Sequence, residues 1–227
     1  VVHAVTNDEI VGASNFLDRA RGVMRATRER GALHLRAPQM QAERGGAFVE
    51  LALALAEEQE RTGAWLVIND RIDIALIVCA RGVQLTGRSL DVADAAQMVT
   101  DIADRKRSAA AANVAIGASV HSLEEAIAAR IAGAAWGVVR DVPVNAPGDT
   151  AKPAARRREH DTELLGQLVR FSGIPIIAIG GVLPVHVAEL RRAGVHGVAA
   201  IRGVWDVEHS ERAAIDYLSA YDSEVGR

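Results

Sequence analysis

Eight short apolar runs, each separated from the next by a stretch with helical character, constrain this chain more than any other feature. The runs are Val2–Val5, Ala32–Leu35, Trp65–Ile68, Gly82–Leu85, Val114–Ala118, Ala135–Val139, Ile176–Ile179 and Gly197–Ile201. Short apolar runs of this kind read as strands buried on both faces. Between them, Gly46 to Arg61 places Phe48, Leu51, Ala52, Leu55 and Ala56 at a helical period. Ser122 to Ala132 opens with a serine three residues before Glu125, the pattern of a capping box. Pro184 to Ala193 carries proline in its first turn and stops at Gly194. Strands alternating with helices predict a parallel sheet, and eight units predict that the sheet closes. The expectation is an α/β fold, a single-domain (β/α)8 TIM barrel over residues 1–227. An open doubly wound sheet is the alternative.

The end of the chain narrows the ligand class. Ile176-Ile177-Ala178-Ile179 runs into Gly180-Gly181, and Gly197-Val198-Ala199-Ala200-Ile201 runs into Arg202-Gly203. Glycine after a strand permits unusual φ/ψ and a close approach of backbone to ligand. Each turn also feeds a helix N-terminus, where unpaired N–H groups favour an anion. In a barrel these are the loops after strands 7 and 8, a frequent phosphate site. Gly180, Gly181, Ile201, Arg202 and Gly203 are the expected phosphate-binding residues. The alternative is that the glycines only tighten turns.

Composition argues against several classes. The formal net charge of −3 gives no basic field for nucleic acid or an anionic membrane. No apolar run is long enough to span a bilayer, so a cytoplasmic protein is expected. The one cysteine, Cys79, excludes an intramolecular disulfide and a multi-cysteine zinc site. It sits in an apolar helical stretch and is expected to pack. Aromatics make up only 4% of the chain, so Ala, Val, Ile and Leu must build the core.

In a barrel, side chains at the strand C-termini are the candidates for chemistry. His34 and Arg36 fall on the same side of strand 2 by alternation, and a buried arginine there calls for an anionic partner. Asn69-Asp70-Arg71 follows strand 3, either as a ligand-facing turn or with Asp70 as the N-cap of the next helix. Strand 4 ends Gln84-Leu85-Thr86-Gly87. Ser119 ends strand 5 facing the site, Ser122 reads as a cap, and His121 either titrates near neutral pH or fixes its loop. Strand 6 leads into Arg140-Asp141 and a proline-rich connection with Lys152 and Arg156-Arg157-Arg158, reaching a helix expected to begin near His160. Long connections at this face act as lids or are disordered.

Taken in order, Asn69-Asp70-Arg71-Ile72-Asp73-Ile74-Ala75-Leu76, Gly82-Val83-Gln84-Leu85, Ser119-Val120-His121-Ser122-Leu123-Glu124-Glu125-Ala126 and Ile174-Pro175-Ile176-Ile177-Ala178-Ile179-Gly180-Gly181 resemble the thiamine phosphate synthase/TenI family. The resemblance runs from Val2 to about Trp205. It implies a (β/α)8 barrel of thiamin biosynthesis, often dimeric, that holds a thiazole phosphate at the double-glycine turn. One branch is thiamine phosphate synthase, which uses magnesium to join a pyrimidine pyrophosphate to thiazole phosphate. The other is the TenI-like branch, a tautomerase that aromatises carboxythiazole phosphate.

The synthase pattern after strand 2 is Gln-x-Arg-x-Lys, where this chain has His34, Arg36 and Pro38. Ser89 stands where the synthase has an acidic magnesium ligand, which leaves Asp70 as the metal residue if the chain is synthase-like. His34-Leu35-Arg36, Gly82-Val83-Gln84-Leu85 and Val2-His3-Ala4-Val5-Thr6 resemble the tautomerase branch. That branch uses a histidine after strand 6, and Asp141 stands nearest its position. The resemblance implies Asp141 or His34 as the catalytic proton carrier. Candidate substrate-binding residues are Arg36, Asn69, Ser119 and Lys152. No cofactor is expected, with Mg2+ needed only under the synthase reading. A homodimer and a small phosphorylated thiazole substrate are the expected partners. The alternatives are thiamine phosphate synthase and a thiazole-phosphate-binding barrel without turnover.

Overall fold

The structure of the protein, a computed structural model, describes residues 1–106, 113–140, 142 and 154–223; for 104–106 and 154–160 it describes the backbone alone. The strands are β1 (Val2–Val5), β2 (Gly31–Leu35), β3 (Trp65–Asn69), β4 (Gly82–Leu85), β5 (Ala115–Val120), β6 (Trp136–Val139), β7 (Ile176–Ile179) and β8 (Gly197–Ala200). Each pairs in parallel with the next, and β8 pairs with β1 to close the barrel. The helices are α1 (Asp8–Gly12), α2 (Phe16–Thr27), α3 (Pro38–Glu43), α4 (Gly45–Thr62), α5 (Ile72–Ile77), α6 (Val92–Lys106), α7 (Leu123–Ile131), α8 (Ala154–Phe171), α9 (Pro184–Arg192), α10 (Arg202–Trp205) and α11 (Ser210–Asp222). Among the described residues no helix is long and apolar enough to cross a membrane.

Alternation along the strands builds two cores. Leu33, Leu35, Leu66 and Ile68 point outward to the helices, while Val5, Ala32, Val67, Trp136, Ile177 and Ala199 fill the barrel. Trp136 is the one large aromatic in that interior cluster, and glycines on β5 and β4 make room for it. A methyl group on Gly117 would overlap the indole, and one on Gly82 would lie 2.9 Å from it. The indole Nε1–H donates to Gln84 Oε1 at 2.8 Å, so the buried donor is satisfied.

Local signals in the sequence set the helix ends. Ser122 caps α7 by accepting from the Glu125 N–H at 3.1 Å. The Glu125 carboxylate reaches back to the N–H of His121 at 2.8 Å rather than to that of Ser122. Pro184 opens α9, and Gly194 follows the helix with φ +90°.

Three expectations change. The helix after β6 begins at Ala154, not near His160, and takes in Arg156-Arg157-Arg158. Ala, Arg and Glu are strong helix formers, but a polar run carries no apolar period by which to see the helix. Cys79 does not pack. It is exposed and left-handed (φ +55°) in the turn that ends α5, where Ala80 N–H returns to the Ala75 carbonyl. β5 runs from Ala115 to Val120 rather than stopping at Ala118, so it takes in Ser119.

Candidate active site

The loops after β7 and β8 form a cavity of about 420 Å3 lined by Ile179, Gly180, Gly181, Ile201, Arg202 and Gly203. Gly180 and Gly181 have φ of +118° and +65°, so this turn needs the freedom of glycine. In α10 the N–H groups of Val204 and Trp205 both return to the Ile201 carbonyl. The N–H groups of Gly181, Arg202 and Gly203 have no backbone partner among the described residues. Three free donors beside an exposed arginine fit a phosphate.

The second part of the site lies where β2 to β5 end. His34 is buried, and its Nε2 lies 2.7 Å from Nδ1 of His3. Burial pushes the His34 imidazole down to about 4, with the neighbouring Asn69 amide acting in the opposite direction. Burial, and then His34, hold His3 well below the ordinary range. His34 therefore does not titrate near neutrality. It is a neutral ring one layer beneath the mouth, and one proton lies between the paired nitrogens.

The Thr6 hydroxyl ties the ends of β1 and β2 together. It accepts from the Arg36 N–H at 2.9 Å and lies within 3.1 Å of the His34 and Arg36 carbonyls. The Arg36 side chain is half-buried and makes no hydrogen bond or ion pair with the described residues. Asn69 is only 4% exposed, and its Oδ1 accepts from no donor among the described residues. An unpaired buried acceptor costs about 1–3 kcal/mol, and the His34 ring is the neighbouring group that bears on this amide. Gln84 and Ser119 close the floor, with Gln84 Nε2 3.4 Å from Ser119 Oγ.

Asp70 has φ +64° and does not cap α5; Arg71 holds the cap position and pairs with Asp73 at 2.6 Å. The Asp70 carboxylate instead turns to the loop after β4. Its Oδ1 lies 3.0 Å from Thr86 N, 2.8 Å from Thr86 Oγ1 and 2.8 Å from Ser89 Oγ. Ser89 thus occupies the neighbourhood where the synthase pattern has a second acid. One carboxylate whose Oδ1 already lies against Thr86 and Ser89 is a poor Mg2+ site without help from a substrate phosphate. Among the described residues there is no group of three His, Cys, Asp or Glu suited to a metal.

The exposed His121 pairs with Glu125 at 3.1 Å and fixes its own loop. Asp141 and Lys152 lie outside the described residues. Sequence reasoning passed over His3 and Thr6 as site residues. Both fall in Val2-His3-Ala4-Val5-Thr6, where two polar residues in an otherwise apolar run are a visible signal.

The histidine pair makes stability depend on pH. A group whose pKa falls on folding stabilises the native state fully above its unfolded value, near 6.5 for histidine, and loses that contribution as pH falls towards the folded value. For His34 the window runs from about 6.5 down to about 4. Its contribution is on the order of 3 kcal/mol. The thermal midpoint should therefore fall between pH 7.5 and pH 4.5, and His34→Gln should flatten that fall. An equally steep profile in His34→Gln would overturn the assignment.

Eight parallel strands closed into a barrel, with helices between them and a cavity between the loops after the last two, define a (β/α)8 barrel. The thiamine monophosphate synthase profile matches residues 2–204, and the chain belongs to that family. It is 29% identical over 183 residues to the thiamine-phosphate synthase of Methanoculleus marisnigri, covering 79% of each chain. It is 30% identical to the Pyrococcus furiosus enzyme of the same name, covering 78% of this chain and 77% of that one. Among solved structures, thiamine phosphate pyrophosphorylase from Pyrococcus furiosus superimposes with a TM-score of 0.74. That match has 24% identity and covers 97% of this chain and 95% of the other, a likeness of fold.

Proposed function

We propose that this member of a thiamin-biosynthesis family is a cytoplasmic thiazole phosphate tautomerase. It would remove a proton from one carbon of a carboxythiazole phosphate and return one to another. The observation that carries this reading is the contact between Asp70 and Ser89. A hydroxyl stands where pyrophosphate chemistry would want a second carboxylate and its metal. Pro38 begins α3 where the synthase pattern has lysine, so the leaving pyrophosphate would lack that cation as well.

In the proposed complex the N–H groups of Gly181, Arg202 and Gly203 bind the phosphate. Arg36, with no protein partner among the described residues, takes the carboxylate. Asn69 and Ser119 meet polar groups of the ring. Lys152 and Asp141 are assigned by sequence position and resemblance, as substrate contact and proton carrier. The neutral His34–His3 pair forms the polar floor beneath the ring. Proton exchange of this kind needs no metal. Homodimer formation is part of the proposal and rests on the family resemblance.

The second reading is thiamine phosphate synthase, a transferase, and the names of the relatives fit it better than they fit the first. The two separate on magnesium. The tautomerase reading expects aromatisation unaffected by a chelator and no magnesium-dependent release of pyrophosphate from the pyrimidine substrate. Thiamin phosphate formed with magnesium at an ordinary enzymatic rate would replace it with the second.

A further inference from the structure

The two phosphate loops meet at one buried side chain. Tyr217, in the last helix, is fully buried. Its hydroxyl donates to the carbonyl of Val182, in the loop after β7, at 2.7 Å. The same hydroxyl lies against Gly203, in the loop after β8, so closely that a methyl group on Gly203 would overlap it. Gly203 therefore has a reason to be glycine apart from turn geometry. Its Cα touches the oxygen that holds the opposite loop. The arrangement is a three-layer stack, with the Val182 carbonyl, the phenol and the Gly203 backbone in sequence.

The rest of this corner is built to keep Tyr217 and α10 still. Trp205, the last residue of α10, packs on Phe16 with ring centroids 5.9 Å apart. The Arg19 guanidinium lies over the same indole and donates to the carbonyls of Trp205 and Val207 and to Ser210 Oγ. The end of α10 and the start of α11 are thus held by α2, and the Tyr217 hydroxyl reaches from α11 to the loop after β7. Burial raises the phenol to about 12, so it remains a donor throughout the physiological range.

We propose that Tyr217 is a positioning residue for phosphate recognition: its hydroxyl fixes the separation between the N–H of Gly181 and those of Arg202 and Gly203. It does not touch the ligand. It acts through the backbones of both loops, and a phosphate needs donors from both at once. This rests on the phosphate site proposed above.

The test is a double-mutant cycle on Tyr217→Phe and Gly203→Ala, read by calorimetry with thiazole phosphate and with the unphosphorylated thiazole alcohol. Tyr217→Phe removes one buried hydrogen bond and should weaken thiazole phosphate about tenfold while leaving the alcohol unchanged. That selectivity separates positioning from a loss of packing, which would weaken both. Gly203→Ala forces the hydroxyl away and should weaken thiazole phosphate roughly tenfold to a hundredfold. The nearest ring carbon lies 3.2 Å from a methyl on Gly203, so removing the oxygen relieves most of the overlap. In the double variant the affinity should return to that of Tyr217→Phe alone, a strong departure from additivity. Equal thiazole phosphate affinity in Tyr217→Phe and the parent overturns the positioning role and leaves the phosphate site standing. Additive losses in the double variant also overturn it. If the parent protein itself binds no thiazole phosphate, the phosphate assignment falls and this inference falls with it.

Discussion

Gly181→Asp is expected to weaken thiazole phosphate binding roughly a hundredfold while leaving the barrel folded. Gly181 sits at φ +65°, a left-handed conformation that aspartate tolerates better than most residues. The substitution therefore costs little in the backbone. Its carboxylate, however, enters the cavity shared by Gly180, Ile201, Arg202 and Gly203. A negative charge about 5 Å from a phosphate costs on the order of 3 kcal/mol at an effective dielectric of 20. That is roughly a hundredfold in affinity. The thiazole alcohol, which lacks the phosphate, should bind as before, and the thermal midpoint should stay within a few degrees. Calorimetry with both ligands reads the result. Undiminished thiazole phosphate affinity would remove the phosphate from this cavity.

The barrel was legible because its determinants are local and repeated. Each strand is a run of four to six residues flanked by glycine, proline or a cap, and eight repeats leave few topologies. What stayed hidden depends on partners distant in sequence. Gly117 reads as an ordinary strand residue until Trp136 is seen to occupy the place of its side chain. The start of α8 was missed because an arginine-rich turn carries no apolar period. Cys79 was misplaced because a left-handed residue breaks the helix that its neighbours suggest.

The site was legible to the depth of the motifs and no further. Alternation put His34 and Arg36 on one side, and the glycines after β7 and β8 marked the cavity. Sequence spacing does not report desolvation. The His34 ring is taken out of the neutral range by burial, against the ring of His3, thirty-one residues away. Asp70 shows the same limit. As a residue it could cap a helix, bind a metal or brace a loop, and only the position of Thr86 and Ser89 selects the brace. Gly203 reads in the sequence as part of the turn after β8, but the contact with Tyr217 that requires glycine there crosses from one loop to another helix.

The burial of His34 bears on where the proton goes. Its Nε2 faces His3, and a ring with a pKa near 4 spends almost none of its time as an imidazolium at neutral pH. It can shape and polarise the floor of the site but is a poor donor of protons to a substrate. This shifts the weight to Asp141, two residues beyond the end of β6, where the tautomerase pattern has its histidine. Asp141→Asn keeps the size of the side chain and removes its basicity. It should slow aromatisation by at least about a hundredfold, within the range typical of general acid–base groups, with little change in thiazole phosphate affinity. His34→Gln should slow it severalfold, because the floor keeps a hydrogen-bonding group and the carboxylate is untouched. Both rates can be followed by the absorbance of the aromatic product under single-turnover conditions. A hundredfold loss in His34→Gln with a near-normal Asp141→Asn would route the proton through the histidine pair instead. If neither substitution altered the rate, the barrel would be a thiazole phosphate binder in which aromatisation proceeds without help from these side chains.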